Sequence, residues 1–437
     1  LTMPAFRAHL IHSRDRGRIE RIDDALVSVS DRGEILSIAD GRSAPAAHDL
    51  REFGVLLPGF VDLHIHAPQF PQLGAALDVP LEEWLFKYTF PLEARYADLD
   101  YARKVYRRLV RHLLALGTTT AVYFATLHGP ASLALADICV AEGQRALVGR
   151  VAMDLQEGCP DYYRDADADT AVQGTAAFVD AVRALPGNTL VEPAITPRFV
   201  PACSDAALAG LGELARTTGA PVQTHCSESD WEHAAVRARM GMSDTETLDA
   251  FGLLTRRSVL AHAGHVSDTD MDLIQARGAG IAHCPLSNAY FGNAVFPLRR
   301  ALAKALHVGL GTDISGGPSA FLLDNARAAV TASRMLEDGV DAALQPDRRG
   351  VPGARVDFRD AFYLATKGGA DVLDLPVGTF EIGRQMDAIL VDLSEDFGPA
   401  EDLLQKIVMG ATPSDIRATW VAGKLVSGQV ARRGQTT

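Results

Sequence analysis

The chain has 437 residues, 47% of them hydrophobic and 22% charged, with 42 basic against 55 acidic side chains for a net charge of −13. That composition excludes a mainly disordered chain, and the acidic balance argues against nucleic acid or an anionic membrane as partner. No apolar run approaches the ~20 residues that a membrane-spanning helix needs.

Five cysteines (Cys139, Cys159, Cys203, Cys226 and Cys284) are odd in number and lack any C-x-x-C pair, which disfavours a disulfide framework or a thiolate zinc site. The opening Leu1-Thr2-Met3-Pro4 has no charged-then-apolar leader, so a reducing cytoplasm is the expected compartment.

In chain order, 26–30 and 35–38 read as two strands around the turn 31–34. Short apolar runs then recur at 57–64, 119–125, 147–153, 189–196, 221–225, 258–262, 280–283 and 308–313. Between them, stretches such as 101–116, 131–143 and 205–217 carry apolar residues at three- and four-residue spacing, as helices packed on a sheet do. This alternation predicts an α/β fold, a (β/α)8 TIM-like barrel with insertions, in preference to an open sheet. Strand patterns return at 387–393 and 419–430, the latter broken at 422–424. Short strands at both termini predict one small β-domain built from the two chain ends; two unrelated extensions are the alternative.

Chemistry concentrates at the C-terminal ends of the predicted strands, where barrel active sites lie. His64 and His66 stand two residues apart on one strand and therefore share a face. Alone, such a pair reads more readily as interior histidines held by hydrogen bonds. His225, His262 and Asp313, however, end three further runs. A nitrogen and oxygen set without thiolate suits zinc or iron with an open position for water.

These residues resemble the amidohydrolase superfamily of metal-dependent barrels, and more closely the guanine deaminases within it. The resemblance is carried by His64-Ile65-His66-Ala67-Pro68-Gln69, the segment from Trp84 to Pro91, Ile195-Thr196-Pro197-Arg198-Phe199, His225-Cys226-Ser227-Glu228, Ala282-His283-Cys284-Pro285 and Gly311-Thr312-Asp313. It implies a barrel with a composite β-sandwich domain divided as 1–57, 58–375 and 376–437, one zinc per subunit, and a homodimer. It further implies hydrolytic conversion of guanine, a small purine base, to xanthine and ammonia. Binuclear members bridge two metals with a lysine, or less often a glutamate, on the fourth strand. No lysine occurs between Lys104 and Lys304, and Glu192 falls early in its run, which favours one metal.

On this reading His64, His66, His225 and Asp313 hold the ion, which lowers the pKa of a bound water to about 7. Asp313 doubles as base, and Glu228 carries protons to a ring nitrogen and to the leaving amine. The alternative for Glu228 is a solvated residue at a helix start capped by Ser227. His262 is preferred to His265 as hydrogen-bond partner of the water, and His283 reads as structural. Gln69, Arg198, Phe199 and Trp84 are the expected substrate contacts; singly they also read as a turn amide, a surface ion pair and core aromatics. Rival activities on the same frame are deamination of another ring (a pterin, triazine or modified purine) and hydrolysis of a cyclic amide. A barrel that has lost catalysis is the remaining rival.

Overall fold

The structure, a computed structural model, describes residues 5–43, 48–392 and 402–430. Its strands make two sheets. The first is built from both chain ends: β1 (Ala5–Asp15), β2 (Arg18–Val29), β3 (Ile35–Asp40), β4 (His48–Asp49) and β5 (Val55–Pro58) come from the start, and β14 (Ala388–Val391), β15 (Ile416–Val421) and β16 (Lys424–Gly428) from the end. They run in the order β16-β15-β14-β5-β1-β2-β3, with β4 beside β1.

This sheet rolls over its own core. The edge near β3 meets the approach to β14 through a bridge between Glu34 and Gln385, and the Ile35 N–H donates to the Arg384 carbonyl at 2.8 Å. Phe6, Val27, Ile35, Leu390 and Trp420 are buried together inside the roll. Strand β1 was not anticipated: its histidines and arginines dilute the apolar signal, yet Phe6, Ala8 and Leu10 alternate inward along it. Ala422 and Gly423, both at positive φ (+48° and +71°), form the two-residue turn from β15 to β16. The predicted strand 387–393 ends at a residue outside the described ones.

The second sheet is the barrel, eight parallel strands in sequence order: β6 (Phe60–His66), β7 (Thr118–Phe124), β8 (Arg145–Ala152), β9 (Val191–Pro197), β10 (Val222–Cys226), β11 (Ser258–His262), β12 (Gly280–His283) and β13 (His307–Leu310). It closes just beyond β13, where the Asp313 N–H donates to the His64 carbonyl at 2.8 Å and the His66 N–H donates to the Ile314 carbonyl at 2.9 Å. Closure therefore passes through the site residues themselves.

One expected run was in fact two strands. The stretch 57–64 divides at Gly59, with Leu57 in the terminal sheet and the barrel starting at Phe60. A Cβ on Gly59 would lie 2.2 Å from Thr119 Oγ1, so the chain changes sheets at a residue without a side chain. The helices fall close to expectation: Leu99–Ala115, Gly129–Glu142 and Asp205–Thr218. Asp98 and Ser204 cap the first and third of these through their side chains, and the second and third end at Gly143 and Gly219 in left-handed conformation. The late helix Leu403–Gly410 lies in the C-terminal part of the chain, but its Leu403, Leu404, Ile407 and Val408 join the barrel's hydrophobic core.

The two sheets are also joined by charge. Arg145, the first residue of β8, makes a two-pronged ion pair with Asp387 just before β14, at 2.9 and 3.0 Å, with both side chains buried.

Candidate active site and metal centre

The C-terminal ends of β6, β10 and β11, with the segment after β13, bring His64, His66, His225, His262 and Asp313 together, and Glu228 joins them from just beyond β10. Within this cluster His64, His66 and Asp313 offer ligand atoms within 4.8 Å of one another; so do His64, His225 and His262, and also Glu228, His262 and Asp313. Asp313 Oδ1 lies 3.2 Å from His64 Nε2 and 3.6 Å from His66 Nε2.

The backbone bends to achieve this. Ser227, His262, Ala263 and Asp313 all take positive φ, a conformation that costs a non-glycine residue ~1 kcal/mol or more. Close packing supports the bend: a Cβ on Gly311 would stand 2.8 Å from His64 Cβ, and one on Gly316 would stand 2.7 Å from Asp313 Oδ2. The glycines around Asp313 thus serve close approach.

Electrostatics leaves this cluster ready for a cation. Burial holds the His64, His66 and His225 imidazoles below their ordinary pKa, so each is neutral with a free lone pair. Burial acts to raise the Asp313 carboxyl, but His64, His262 and His66 outweigh it and hold the group well below the usual carboxylate range. The ring proton of His225 is committed through Nδ1 to the Arg198 carbonyl at 2.5 Å, and its Nε2 faces His66 Nε2 at 3.0 Å. His64 Nε2 is buried without a hydrogen-bond partner among the described residues. Imidazole nitrogens and a carboxylate converging at these distances are what a divalent ion satisfies, and the donor set fits zinc.

His262 belongs to the same cluster, and a hydrogen bond fixes its orientation. Its Nδ1 donates to Asn288 Oδ1 at 3.0 Å, which turns Nε2 toward Glu228 Oε1 at 3.5 Å. His265, the competing histidine, instead points Nε2 at the Gly292 carbonyl at 2.7 Å, away from the cluster. His283 packs its ring against Phe296.

Glu228 is not a helix-start residue. Ser229, not Ser227, caps the helix Asp230–Met240, and Glu228 is buried ahead of it, with its own N–H donating to Glu232 Oε2 at 2.7 Å. Burial and the Asp313 carboxylate push the Glu228 pKa up to about 8, so the group holds a proton at neutral pH. Ser227 Oγ donates to Asp244.

Beside the cluster opens a cleft with about 430 Å³ of empty space. Gln69, Trp84, Arg198 and Phe199 all line it together with His66, His225, Glu228 and Asp313. The sequence reading missed Phe291, whose ring lies 5.1 Å from that of Trp84, and Glu93, which binds both Arg198 and Gln69. Arg198 is therefore in a fully buried ion pair, not a surface one. Glu192 lies near the opposite end of β9, paired with Arg257 at 2.6 Å, away from the histidine–aspartate cluster.

Comparisons with known proteins give the chain its relatives. A family model described as the amidohydrolase family matches residues 55–426. A probable guanine deaminase of Schizosaccharomyces pombe is 38% identical, over 98% of this chain and 84% of its own. The guanine deaminase of Homo sapiens is 35% identical over 96% of each. Among solved structures, guanine deaminase from C. acetobutylicum with guanine bound in its active site superposes with a TM-score of 0.88 at 31% identity, covering 97% of this chain and 99% of that one.

Proposed function

This chain belongs to the amidohydrolase family, and on that premise we propose that it is a metal-dependent enzyme that hydrolyses guanine to xanthine and ammonia. The observation that carries the reading is the single cleft in which donors from Gln69 and Arg198 share a wall with Glu228 and the histidine–aspartate cluster. The full-length relatives named as guanine deaminases, one with guanine bound, support the same substrate.

His64, His66, His225 and Asp313 would hold one zinc ion per chain. When bound, it supplies an activated water at neutral pH. The protein's own groups do the rest. Arg198 and Gln69 orient the base through its acceptor edge, and Phe199 and Trp84 cover its ring and keep bulk water out. Glu228, protonated at rest, gives its proton to the ring nitrogen beside the amine-bearing carbon. Asp313 Oδ2, with His262 Nε2 beside it, takes up the proton released by the attacking water; Glu228 then collects the proton of the hydroxyl formed on the reacting carbon, relays it to the departing amine, and is recharged with the proton that Asp313 held.

A homodimer follows from the resemblance, and the exposed apolar side chains of Met335, Val340, Leu344 and Val351 offer it a surface. Five free cysteines, all buried, suit a reducing cytoplasm. The chain division at 57/58 and 375/376 is proposed on the same footing.

The test is ammonia release by zinc-loaded protein from guanine, adenine, a pterin and an aminotriazine in parallel. Guanine is expected to be turned over with the highest kcat/KM. A higher value on any of the other rings would overturn the substrate while leaving the deaminase reading standing.

A further inference from the structure

Glu93 lies in the short helix Phe90–Ala94, inserted between β6 and the first long barrel helix, with its side chain fully buried. Its Oε2 accepts from Arg198 Nη1 at 2.7 Å, while Oε1 accepts from Arg198 Nη2 at 3.0 Å and from Gln69 Nε2 at 2.9 Å. One carboxylate thus joins three segments: the turn after β6, the inserted helix, and the stretch after β9.

Two consequences follow for the cleft wall. Gln69 commits Nε2 to Glu93 while its Oε1 accepts from the Ser315 N–H at 3.1 Å, so the amide cannot flip and its remaining capacity is that of a donor. Arg198 has its charge cancelled by Glu93, and its guanidinium lies 4.9 Å from the centre of the Phe90 ring. Of its five N–H groups, two serve Glu93. The wall is therefore electrically neutral and offers donors held in fixed directions. Such a wall matches a ring edge made of acceptors and rejects an exocyclic amine at the same place, which would be left unpaired.

Building on the guanine reading, we propose that Glu93 is a positioning residue that sets specificity for a 6-oxo purine, by locking Arg198 and Gln69 as donors to the oxygen-bearing edge. It touches no substrate. It acts through the two side chains it holds, Arg198 first.

The test compares zinc-loaded wild type and Glu93→Gln, titrated calorimetrically with hypoxanthine and with unsubstituted purine, which lacks the 6-oxo group. The wild type is expected to bind hypoxanthine more tightly, and Glu93→Gln to close that gap by about tenfold, the worth of a charge-assisted hydrogen bond. Equal weakening of both ligands, as a purely structural role predicts, overturns the proposal, and so does a wild type with no gap. In an Arg198→Met background, which removes the unpaired buried cation and so guards against misfolding, Glu93→Gln is expected to change hypoxanthine binding by less than about threefold. A full further loss there also overturns it. Guanine turnover by the wild type is measured alongside: its absence sinks the parent reading, whereas turnover with an unclosed gap sinks this inference alone.

Discussion

His225 turns a lone pair toward His66 Nε2, 3.0 Å away, because its own ring proton is committed through Nδ1 to the Arg198 carbonyl at 2.5 Å. The carbonyl that fixes this tautomer belongs to the residue proposed to hold the substrate. The proposed metal ligand and the proposed substrate contact are thus aligned by one hydrogen bond.

The first expectation concerns the ion. Zinc content by mass spectrometry should be about one per chain, and His225→Ala should lose most of it, as removal of a ligand commonly does. Chelation should abolish guanine turnover, zinc should restore it, and the metal-free protein should melt at lower temperature. A chelated protein with full activity contradicts the metal centre.

Glu228→Gln keeps size and removes the transferable proton. Its kcat is expected to fall by ~10²–10⁴, the usual worth of a general acid–base group. Zinc content should stay at the wild-type level. A change of less than threefold in kcat would remove Glu228 from proton transfer.

Asn288 fixes His262 by accepting from its Nδ1 at 3.0 Å. Asn288→Leu frees the imidazole to change tautomer and turn away. We expect kcat to fall about tenfold or more, with KM and zinc content little changed. Equal loss of zinc and activity would instead make His262 a ligand.

The ion pair of Arg145 with Asp387 joins barrel and terminal sheet, and Asp387 also accepts from the Ala422 N–H at 2.8 Å. Asp387→Asn leaves a buried guanidinium without its counter-charge, expected to cost ~3–5 kcal/mol. Urea unfolding of the variant should begin at clearly lower denaturant. Replacing both partners, Arg145→Met with Asp387→Leu, should cost less than the single change.

Burial lowers the His283 pKa to about 3, against ~6.5 in an unfolded chain. Between those values the unfolded chain binds a proton that the folded chain refuses. The contribution of His283 is therefore whole above pH 6.5 and is lost as pH falls toward 3, at up to ~1.4 kcal/mol per pH unit. Between pH 7 and pH 5 the melting temperature of the wild type should fall more than that of His283→Gln, by ~2 °C or more. Parallel curves would show that His283 does not drive acid sensitivity.

Much of the site could be read from the chain alone. Alternation along a strand puts His64 and His66 on one face, and an apolar run that stops at His225 or His262 marks the end of a barrel strand, so position along the element carried the chemistry. The place of Glu228 in the cluster was legible for the same reason, three residues beyond His225. Tertiary structure decided what local pattern does not record. Glu93 and Arg198 are 105 residues apart, and no spacing rule links them. Asn288 reaches His262 from the segment after the neighbouring strand, 26 residues on, and Gly59 splits what looked like one run because two sheets meet there. The order of apolar and polar residues specifies which face of an element is buried, because that is set within a few residues. Which buried polar group answers another depends on how distant segments are brought together, and that is settled only when the barrel closes.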